Sequence, residues 1–501
     1  MDGESTIGTV RWMVERQARR RPDAPSLIHP DGTAVSYADL LVVIDQVHAR
    51  LAGMGIGPGD RVVLLLDPCL ATARAKIAVA ASATACPLNP AASLEELRHA
   101  VGRLGPKVVV ASADTMPVAT DLGVAVVAID DLLAPVECGE SSADGPWPDL
   151  DDLTLIITTS GTTGHPRLVP LTHRLIHEGF PAYVGSMQFQ EDDRMLNQGR
   201  PFHAASTGAI FGTLLTGGAV VCPARTEPAY LVEVIKATHP TRTSAVPSVY
   251  TRLVDEVGAS EIPPFRYLVS SGGAMPLALA ERVSRAFGAP VVDMYGLAEA
   301  WFIAHAPLPI GSAPPGAMTL LPHCEVRLVD ADGLDVPQGT PGEIIVRGAN
   351  VFSGYLGDEF DNANTFFPGG WLRTGDSGVI DDEGYFRFAG RIKDLLNRGG
   401  EKLSPVEIEA AFLTHPAVDE VAVFGIPHPQ LGEDLVAAVV LRPGETVEVR
   451  QLRRHLLGRL APAKVPRTIR FVDAFPRTGS EKVRRAELTE WYLAMDDASG
   501  G

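Results

Sequence analysis

Short, largely apolar runs that alternate with helical stretches constrain the fold of the first part of the chain more than any other feature. Runs at 61–66, 107–111 and 124–128 are typical of buried strands. A segment at 36–52 begins with a good helix-capping residue, and an alanine-rich segment at 70–85 also predicts a helix. Strands that alternate with helices form parallel sheets that are covered on both faces. The sequence therefore predicts an α/β fold for this region.

The pattern changes in the last third of the chain. Residues 325–329 and 342–348 alternate between apolar and polar side chains, and the Asp-Glu-Gly at 382–384 predicts a hairpin. Residues 394–501 have helix, strand, strand, helix character. The predicted fold class is α/β, with a large N-terminal domain of parallel α/β sheets, a small β subdomain and a small α+β C-terminal domain.

Composition excludes several classes of protein. The chain has 501 residues, too many for one hydrophobic core, and its formal net charge of -18 argues against binding to nucleic acid or an anionic membrane. The five cysteines are far apart, with no Cys-x-x-Cys pair, so we expect neither a zinc site nor a disulfide framework. The first residues lack a signal peptide's apolar segment, and the alanine-rich run at 77–85 is too short to span a bilayer. We expect a cytoplasmic enzyme.

A predicted strand at 153–158 runs into a loop of small hydroxyl residues and glycines that ends in an arginine. The loop consists of Thr159, Ser160, Gly161, Thr162, Thr163, Gly164, His165, Pro166 and Arg167. Glycines let the backbone approach an anion closely, hydroxyl and backbone N–H groups donate to it, and Arg167 adds positive charge. A helix is expected to open near Leu171. The pattern predicts a phosphate-binding loop rather than a solvated turn, although it lacks the Gly-Lys-Ser/Thr ending of kinase and GTPase loops.

This loop resembles the phosphate loop of the adenylate-forming superfamily, which includes acyl- and aryl-CoA synthetases, luciferases and the adenylation domains of peptide synthetases. The family loop usually reads TSGTTGxPKG, whereas this chain has Arg167 for the lysine and Leu168 for the last glycine. Further elements match in family order: YGLAE at 295–299, WLRTGD at 371–376, GRIKD at 390–394 and PRTGSEK at 476–482. The resemblance covers nearly the whole chain, and the sequence is most similar in appearance to the branch that activates oxalate and other short acids.

The resemblance implies a site for ATP and Mg²⁺. The residues that it assigns to the nucleotide are Thr159, Ser160, Gly161, Thr162, Thr163, Gly164, Gly272, Gly273, Tyr295, Asp376, Arg391 and Lys482. Tyr295 would stack on adenine, Asp376 would bind the ribose hydroxyls, and Glu299 would hold the metal through oxygen. The alternative is that Tyr295 is a core residue and that Glu299 is a charge at the start of a helix.

Three residues are candidates for the acid pocket. Arg200 and His203 would attract a carboxylate, although an isolated arginine and histidine near a helix start often serve in packing and capping. Trp301 is bulkier than the usual family residue at its position. If its side chain points inward it shortens the pocket and favours a small acid, and if it packs outward it says nothing about specificity.

The resemblance also implies a division into domains and a reaction in two steps. The expected N-terminal domain is 1–390, with a β-rich subdomain at about 320–390, and the expected C-terminal mobile domain is 394–501. A hinge at 391–394 would contain Lys393. In the first step Lys482, Glu299 and Arg167 would act as catalytic residues while the acid becomes an acyl adenylate. In the second step, rotation about Lys393 would admit a thiol.

The first functional hypothesis is an AMP-forming ligase that joins a small anionic acid to CoA. A second is adenylation without CoA, with the product passed to a carrier-protein thiol, or an oxyanion such as nitrite activated for transfer to an amine. A third is a nucleotide-binding regulator, because Arg167, Ala298 and Glu481 depart from the family pattern. The acid, the acceptor and the oligomeric state stay open at this point.

Overall fold

The computed structural model describes most of the chain. The described residues are 8–135, 145–159, 167–258, 261–273, 275–308, 311–314, 316–399, 401–476 and 483–499. Most of the predicted phosphate loop and the segment with Lys482 therefore lie outside the described residues, as does Cys138.

Helices and strands alternate along the first part of the chain. Up to the predicted phosphate loop they are α1 Val10–Arg20, β1 Pro25–Ile28, β2 Ala34–Ser36, α2 Tyr37–Gly53, β3 Arg61–Leu65, α3 Leu70–Ser82, β4 Thr84–Pro87, α4 Leu94–Leu104, β5 Val108–Ala111, α5 Met116–Thr120, β6 Val126–Ala128, α6 Ile129–Leu133 and β7 Leu153–Thr159. After the loop they are β8 Arg167–Thr172, α7 His173–Ser186, β9 Arg194–Leu196, α8 Ala204–Thr216, β10 Ala219–Val221, α9 Pro228–Thr238, β11 Arg242–Ala245, α10 Pro247–Val257, β12 Tyr267–Ser271, α11 Leu277–Phe287, β13 Val291–Leu297, β14 Trp301–His305 and β15 Thr319–Leu320.

The remaining elements are mostly strands. They are β16 Cys324–Val329, β17 Gly342–Gly348, α12 Glu359–Thr365, β18 Phe366–Phe367, β19 Trp371–Ile380, β20 Phe386–Arg391, β21 Leu396–Arg398, β22 Glu401–Leu403, α13 Pro405–Leu413, β23 Val418–His428, β24 Gly432–Leu441, α14 Val449–Leu457, β25 Thr468–Phe471 and α15 Arg485–Ser499. Short 3-10 helices span Ile392–Asp394 and Pro462–Lys464.

The predicted phosphate loop joins two antiparallel strands. Among the described residues, six strands form a sheet in the order β6-β5-β3-β4-β7-β8, parallel except for β8. The helix expected to open near Leu171 begins at His173 and is capped by the Thr172 side chain, but strand β8 before it was not predicted. Since β8 is an edge strand, it tolerates Pro170, which has no N–H to donate to a further strand. The predicted helix at 70–85 also ends early, at Ser82, and β4 follows it.

A second sheet brings three strand ends together. In the described part of the chain it has nine strands in the order β15-β14-β13-β12-β11-β9-β10-β1-β2, and β11, β12 and β13 run parallel. Buried side chains of α1, α2, α3, α7 and α8 form one hydrophobic cluster with residues of both large sheets. In sheets of this kind ligands bind beyond the carboxyl ends of the strands. The residues that follow β12 and β13 therefore lie where a ligand is expected.

Two smaller sheets make up the rest of the described structure. Strands β16 to β20 form an antiparallel sheet, and β21 to β25 form another, on which β25 is the parallel edge strand. The predicted fold class is therefore confirmed, with parallel α/β sheets in the large N-terminal part and a smaller α+β C-terminal part. No helix in the described ranges is long and apolar enough to cross a membrane.

Candidate active site

The carboxyl ends of β12 and β13 place the paired glycines beside Tyr295. Ser271 at the end of β12 is paired with Met294 on β13, so Gly272 follows at the level of Tyr295. Gly272 has a φ of +78°, and a Cβ atom added there would lie 3.3 Å from Val246 Cγ1. This left-handed backbone favours glycine, and it leaves the main chain accessible at the strand ends.

Tyr295 connects this sheet to the β-rich sheet through Asp376. The Tyr295 hydroxyl donates a 2.8 Å hydrogen bond to Asp376 Oδ2. Arg391 is the cross-strand partner of Asp376, and its Nε lies 3.6 Å from Asp376 Oδ1. Burial and the nearby Asp376 carboxylate raise the pKa of Tyr295 well above its usual value, so the hydroxyl stays protonated and donates. Three of the residues predicted to bind the nucleotide are therefore in contact, although they lie far apart in the sequence.

One face of the Tyr295 ring belongs to the core. Tyr295 is 8% exposed, and its ring centroid lies 5.5 Å from that of Phe386 and 5.3 Å from that of Phe388. The alternative prediction, that Tyr295 is a core residue, is thus correct for its burial. Its hydroxyl nevertheless hydrogen-bonds to the Asp376 carboxylate, so Tyr295 does more than fill space in the core.

A second chain of contacts links Arg167 to Glu299 through Tyr355. The Tyr355 hydroxyl donates a 2.7 Å hydrogen bond to Glu299 Oε1, and Arg167 Nη1 lies 3.4 Å from the same hydroxyl oxygen. The Arg167 guanidinium also lies over the Tyr355 ring, 4.9 Å from its centroid. Because Arg167 pairs with Thr159 across the hairpin, it stands at the base of the predicted phosphate loop. Tyr355 was not predicted from the sequence, because it lies far from both Arg167 and Glu299 in the chain.

Glu299 is suited to hold Mg²⁺ together with phosphates. It lies in the turn between β13 and β14, so its predicted alternative as a charge at a helix start is wrong. Within the described ranges, no group of three or more His, Cys, Asp or Glu side chains could hold a metal by itself. Mg²⁺ commonly takes one or two carboxylates and completes its shell with substrate phosphates and water. The donor set therefore fits a nucleotide-bound Mg²⁺ and does not resemble a closed all-protein metal site.

The turn that carries Glu299 has a strained backbone. Trp301, at its end, has a φ of +48°, an uncommon conformation for a bulky side chain. A Cβ atom added at Gly296 would overlap the Trp301 carbonyl oxygen, so only glycine fits there. Such conformations persist where the surrounding structure enforces them, often at functional sites.

The Trp301 side chain points inward. It is 4% exposed, and its ring centroid lies 5.0 Å from that of Phe180 and 5.8 Å from that of Phe302. Its indole N–H is buried without a hydrogen-bond partner among the described residues. Trp301 is therefore packed in the interior and not on the surface. Its effect on the length of the acid pocket stays a prediction.

Arg200 and His203 lie at the start of α8. The His203 backbone N–H donates a 3.0 Å hydrogen bond to the Arg200 carbonyl, and the His203 side chain does not cap the helix. Gly208 lies one turn further, where a Cβ atom would come within 2.7 Å of the Phe302 ring. Gly208 on α8 therefore packs against Phe302 of β14, while the His203 ring lies beside that of Phe202, 4.5 Å between centroids.

Asp293 is a further site candidate that was not predicted from the sequence. It precedes Tyr295 by two residues on β13 and pairs with Ser270 on β12. Its Oδ1 is buried with no hydrogen-bond partner in the part of the chain that the structure describes. Burial raises the pKa of Asp293 to about 7. Backbone N–H groups of Met275 and Met294 face the carboxyl group and offset part of this rise in pKa, and its position on β13 makes Asp293 a candidate ligand contact.

The two predicted lysines differ in what the structure describes. Lys393 lies in the 3-10 helix Ile392–Asp394, between the β-rich sheet and the C-terminal sheet. Lys482 and the loop residues Ser160 to Gly164 lie outside the described residues.

Two family models match the chain. The model described as AMP-binding enzyme matches residues 14–356, and the model described as AMP-binding enzyme C-terminal domain matches residues 407–482.

Relatives of known function and structure match over nearly the full length. The chain is similar to a feruloyl-CoA synthase of Amycolatopsis sp, with 33% identity over 96% of this chain and 98% of the relative. It is similar to an oxalate–CoA ligase of Arabidopsis thaliana, with 31% identity over 97% of this chain and 99% of the relative. Its structure resembles that of ATP-bound MatB from Rhodopseudomonas palustris, with a TM-score of 0.84, 29% identity and coverage of 97% and 99%.

Proposed function

The chain belongs to the AMP-binding enzyme family, and we propose that it activates a small carboxylic acid with ATP and transfers the acyl group to the thiol of coenzyme A. The family membership confirms the resemblance to adenylate-forming enzymes. The observation that carries the proposal is the contact chain from Arg167 through Tyr355 to Glu299, because it ties the base of the phosphate loop to the candidate metal ligand.

In the first step a carboxylate oxygen of the acid attacks the α phosphorus of ATP. An acyl–phosphate bond forms, the bond to the β phosphate breaks, and pyrophosphate leaves. No general base is required, since a carboxylic acid is already ionised at neutral pH. The barrier arises mainly from bringing anions together, so positioning and neutralisation of charge are the expected contributions of the protein.

Each contact of the site has a place in this step. Arg167 would stand beside the β and γ phosphates, and Glu299 would hold Mg²⁺, which neutralises phosphate charge when bound. Asp376 would accept from the ribose hydroxyls, with Arg391 beside it. Lys482 would bridge the attacking carboxylate and the α phosphate, a role that rests on the family resemblance.

The acid is proposed to be small and anionic. Trp301 is buried against Phe180 and Phe302, and a bulky side chain that lined the acid pocket would shorten it. Arg200 and His203, just before α8, would attract the carboxylate. The relatives include a feruloyl-CoA synthase and an oxalate–CoA ligase, and the buried tryptophan supports the smaller acid.

In the second step the thiol of CoA would attack the acyl carbon and AMP would leave. Lys393 lies between the β-rich sheet and the C-terminal sheet, the position expected of a hinge. Rotation there would withdraw Lys482 and open the acyl adenylate to the thiol, as in other enzymes that use one site for two reactions. The names of the relatives as CoA ligases support CoA as the acceptor.

The test is to follow pyrophosphate release and to identify the product by mass spectrometry for short acids, dicarboxylic acids, aryl acids, fatty acids and nitrite. Each is assayed with and without CoA. Continued turnover that requires CoA and one short acid, with the acyl-CoA as product, supports the proposal. Turnover that does not depend on CoA would contradict the assigned acceptor and favour a carrier protein or an amine. Lys482→Ala serves as the matched control and should abolish pyrophosphate release.

A further inference from the structure

Lys76 is fully buried beneath the start of α8. It lies on α3 and is 1% exposed. Its Nζ donates a 2.8 Å hydrogen bond to the Pro201 carbonyl and another of 2.8 Å to the Thr207 hydroxyl. These two partners lie on either side of His203 in the sequence. Lys76 therefore holds, from the interior, the turn that carries the candidate acid-binding residues.

The surroundings of Lys76 contain no counter-ion. No salt bridge joins it to a carboxylate within the described ranges, and burial is the cause of its lowered pKa, which falls to about 7. The titratable groups that line the same small cavity are the thiols of Cys69, at the start of α3, and Cys222, after β10. Burial raises the pKa of Cys222, so this thiol does not supply a negative charge near neutrality. Helix α8 carries no Asp, Glu, Lys, Arg or His side chain, and His203 immediately precedes it.

A buried amine without a counter-ion is costly for the folded state, whereas an apolar side chain of similar length would fill the same space at no such cost. The two hydrogen bonds to Pro201 and Thr207 fix the position of the amine, and neither partner carries a negative charge. The charge of the ammonium group is therefore left uncompensated by these partners. An anion bound nearby would supply the missing negative charge, and the attraction between buried charges is weakly screened.

We propose that Lys76 is a positioning residue for the acid: it fixes the turn that carries Arg200 and His203, and its ammonium group strengthens binding of an anionic substrate at that turn. This inference rests on the proposed function. When the acid binds to the neutral amine, Nζ takes up one proton from solvent and becomes the ammonium group. Acid binding should then weaken as the pH rises, because the concentration of the protons that Nζ must take up falls.

Two variants separate the hydrogen bonds from the charge. Lys76→Gln retains a donor without charge, and Lys76→Met retains the apolar length without a donor. The KM for the acid and the KM for ATP are measured from about pH 6 to about pH 9, where the acid stays ionised. In the wild type, the KM for the acid should rise by about tenfold across this range, which corresponds to a substrate-induced rise of about one pKa unit in Lys76.

Both variants should lose this rise and bind the acid as weakly throughout as the wild type does at high pH. The Met variant should be the weaker of the two, since it also releases the turn, and the KM for ATP should stay at the wild-type value. His203 is present in all three proteins, so its contribution to the profile cancels in the comparison. If Lys76→Gln keeps the wild-type dependence of the acid KM on pH, the inference is overturned.

A measurement on the wild type makes the test independent of how the variants fold. Calorimetric titration of the acid into the enzyme with a non-hydrolysable ATP analogue, at about pH 8 in two buffers of different ionisation enthalpy, gives the number of protons taken up. Uptake of a substantial fraction of one proton is expected, and no uptake would overturn the inference. If the wild type releases pyrophosphate with an acid but takes up no proton, the role of Lys76 is refuted and the proposed function stands. If the wild type releases no pyrophosphate with any acid, both the role of Lys76 and the proposed function are contradicted.

Discussion

The Tyr355 hydroxyl donates a 2.7 Å hydrogen bond to Glu299 Oε1, although 56 residues separate the two in the chain. Arg167 approaches the same hydroxyl oxygen from its other side, at 3.4 Å. Burial and the Glu299 carboxylate raise the pKa of Tyr355, so the hydroxyl remains a donor at any physiological pH. A neutral group thus separates the cation at the base of the phosphate loop from the candidate metal ligand.

Tyr355→Phe removes this link and keeps the ring. A hydrogen bond to a charged group contributes about 1.5 to 3 kcal/mol, so kcat for acid-dependent pyrophosphate release should fall by about 10- to 100-fold. The ring contact with Phe352, at 4.9 Å between centroids, should preserve folding. Initial-rate kinetics with saturating acid measures the effect. An unchanged kcat would show that Tyr355 does not orient Glu299.

Asp376→Ala should weaken ATP binding by about 100-fold, because it removes the proposed ribose acceptor and leaves the buried Tyr295 hydroxyl without its partner. Tyr295→Phe is the matched control, since it loses the same hydrogen bond but keeps the carboxylate, and should weaken binding by about tenfold or less. Calorimetric titration with ATP distinguishes the two. Equal losses in both variants would mean that Asp376 acts only through Tyr295.

Asp293→Asn tests the buried carboxylate through the dependence of stability on pH. Burial raises the pKa of Asp293 in the folded state to about 7, above the ordinary value of 3.8, so the folded protein binds this proton more tightly than the unfolded chain. The wild type should therefore lose stability as the pH rises from about 4 towards about 7. The variant lacks this loss, so its stability relative to the wild type should increase between about pH 4 and about pH 7 in urea unfolding. A constant difference between the two proteins would contradict the burial of a titrating carboxylate.

Gly296→Ala should disrupt the turn that carries Glu299. The added methyl group would overlap the Trp301 carbonyl oxygen, which is backbone and cannot rotate away. Activity should fall by more than about 100-fold, or the thermal unfolding midpoint should drop by several degrees, as expected for about 2 kcal/mol or more of strain. Gly102→Ala is the control, because it lies in helix α4 with open space around it, and alanine favours a helix there. Equal behaviour of the two variants would refute the close contact.

Helices and strands that have a clear local sequence pattern could be predicted from the sequence. The runs that became β3, β5 and β6 are almost entirely apolar, as expected for strands of a parallel sheet that is covered on both faces, and that pattern is visible without tertiary information. Strand β8 was missed because Pro170 interrupts it. Proline argues against a strand in general, and only the position of β8 at the sheet edge, a property of the whole fold, makes it acceptable.

The residues of the candidate site also fall into two groups, those that could be predicted from the sequence and those that only the structure reveals. Tyr295, Asp376 and Arg391 stand in recognisable short motifs, and the structure brings them into contact. Tyr355 and Lys76 belong to no such motif, and their importance comes from partners that are distant in the chain. A lysine within an alanine-rich helix has no local signal that distinguishes a solvated position from a buried one, so only the packing of α3 against α8 reveals it.

Adenylation is tested most directly by acid-dependent exchange of labelled pyrophosphate into ATP, measured without CoA. Adenylate formation is reversible before the thiol enters, so exchange should require a small acid, proceed without CoA and disappear in Lys482→Ala. Binding of ATP with no exchange for any acid or oxyanion would contradict adenylation and would favour the nucleotide-binding regulator.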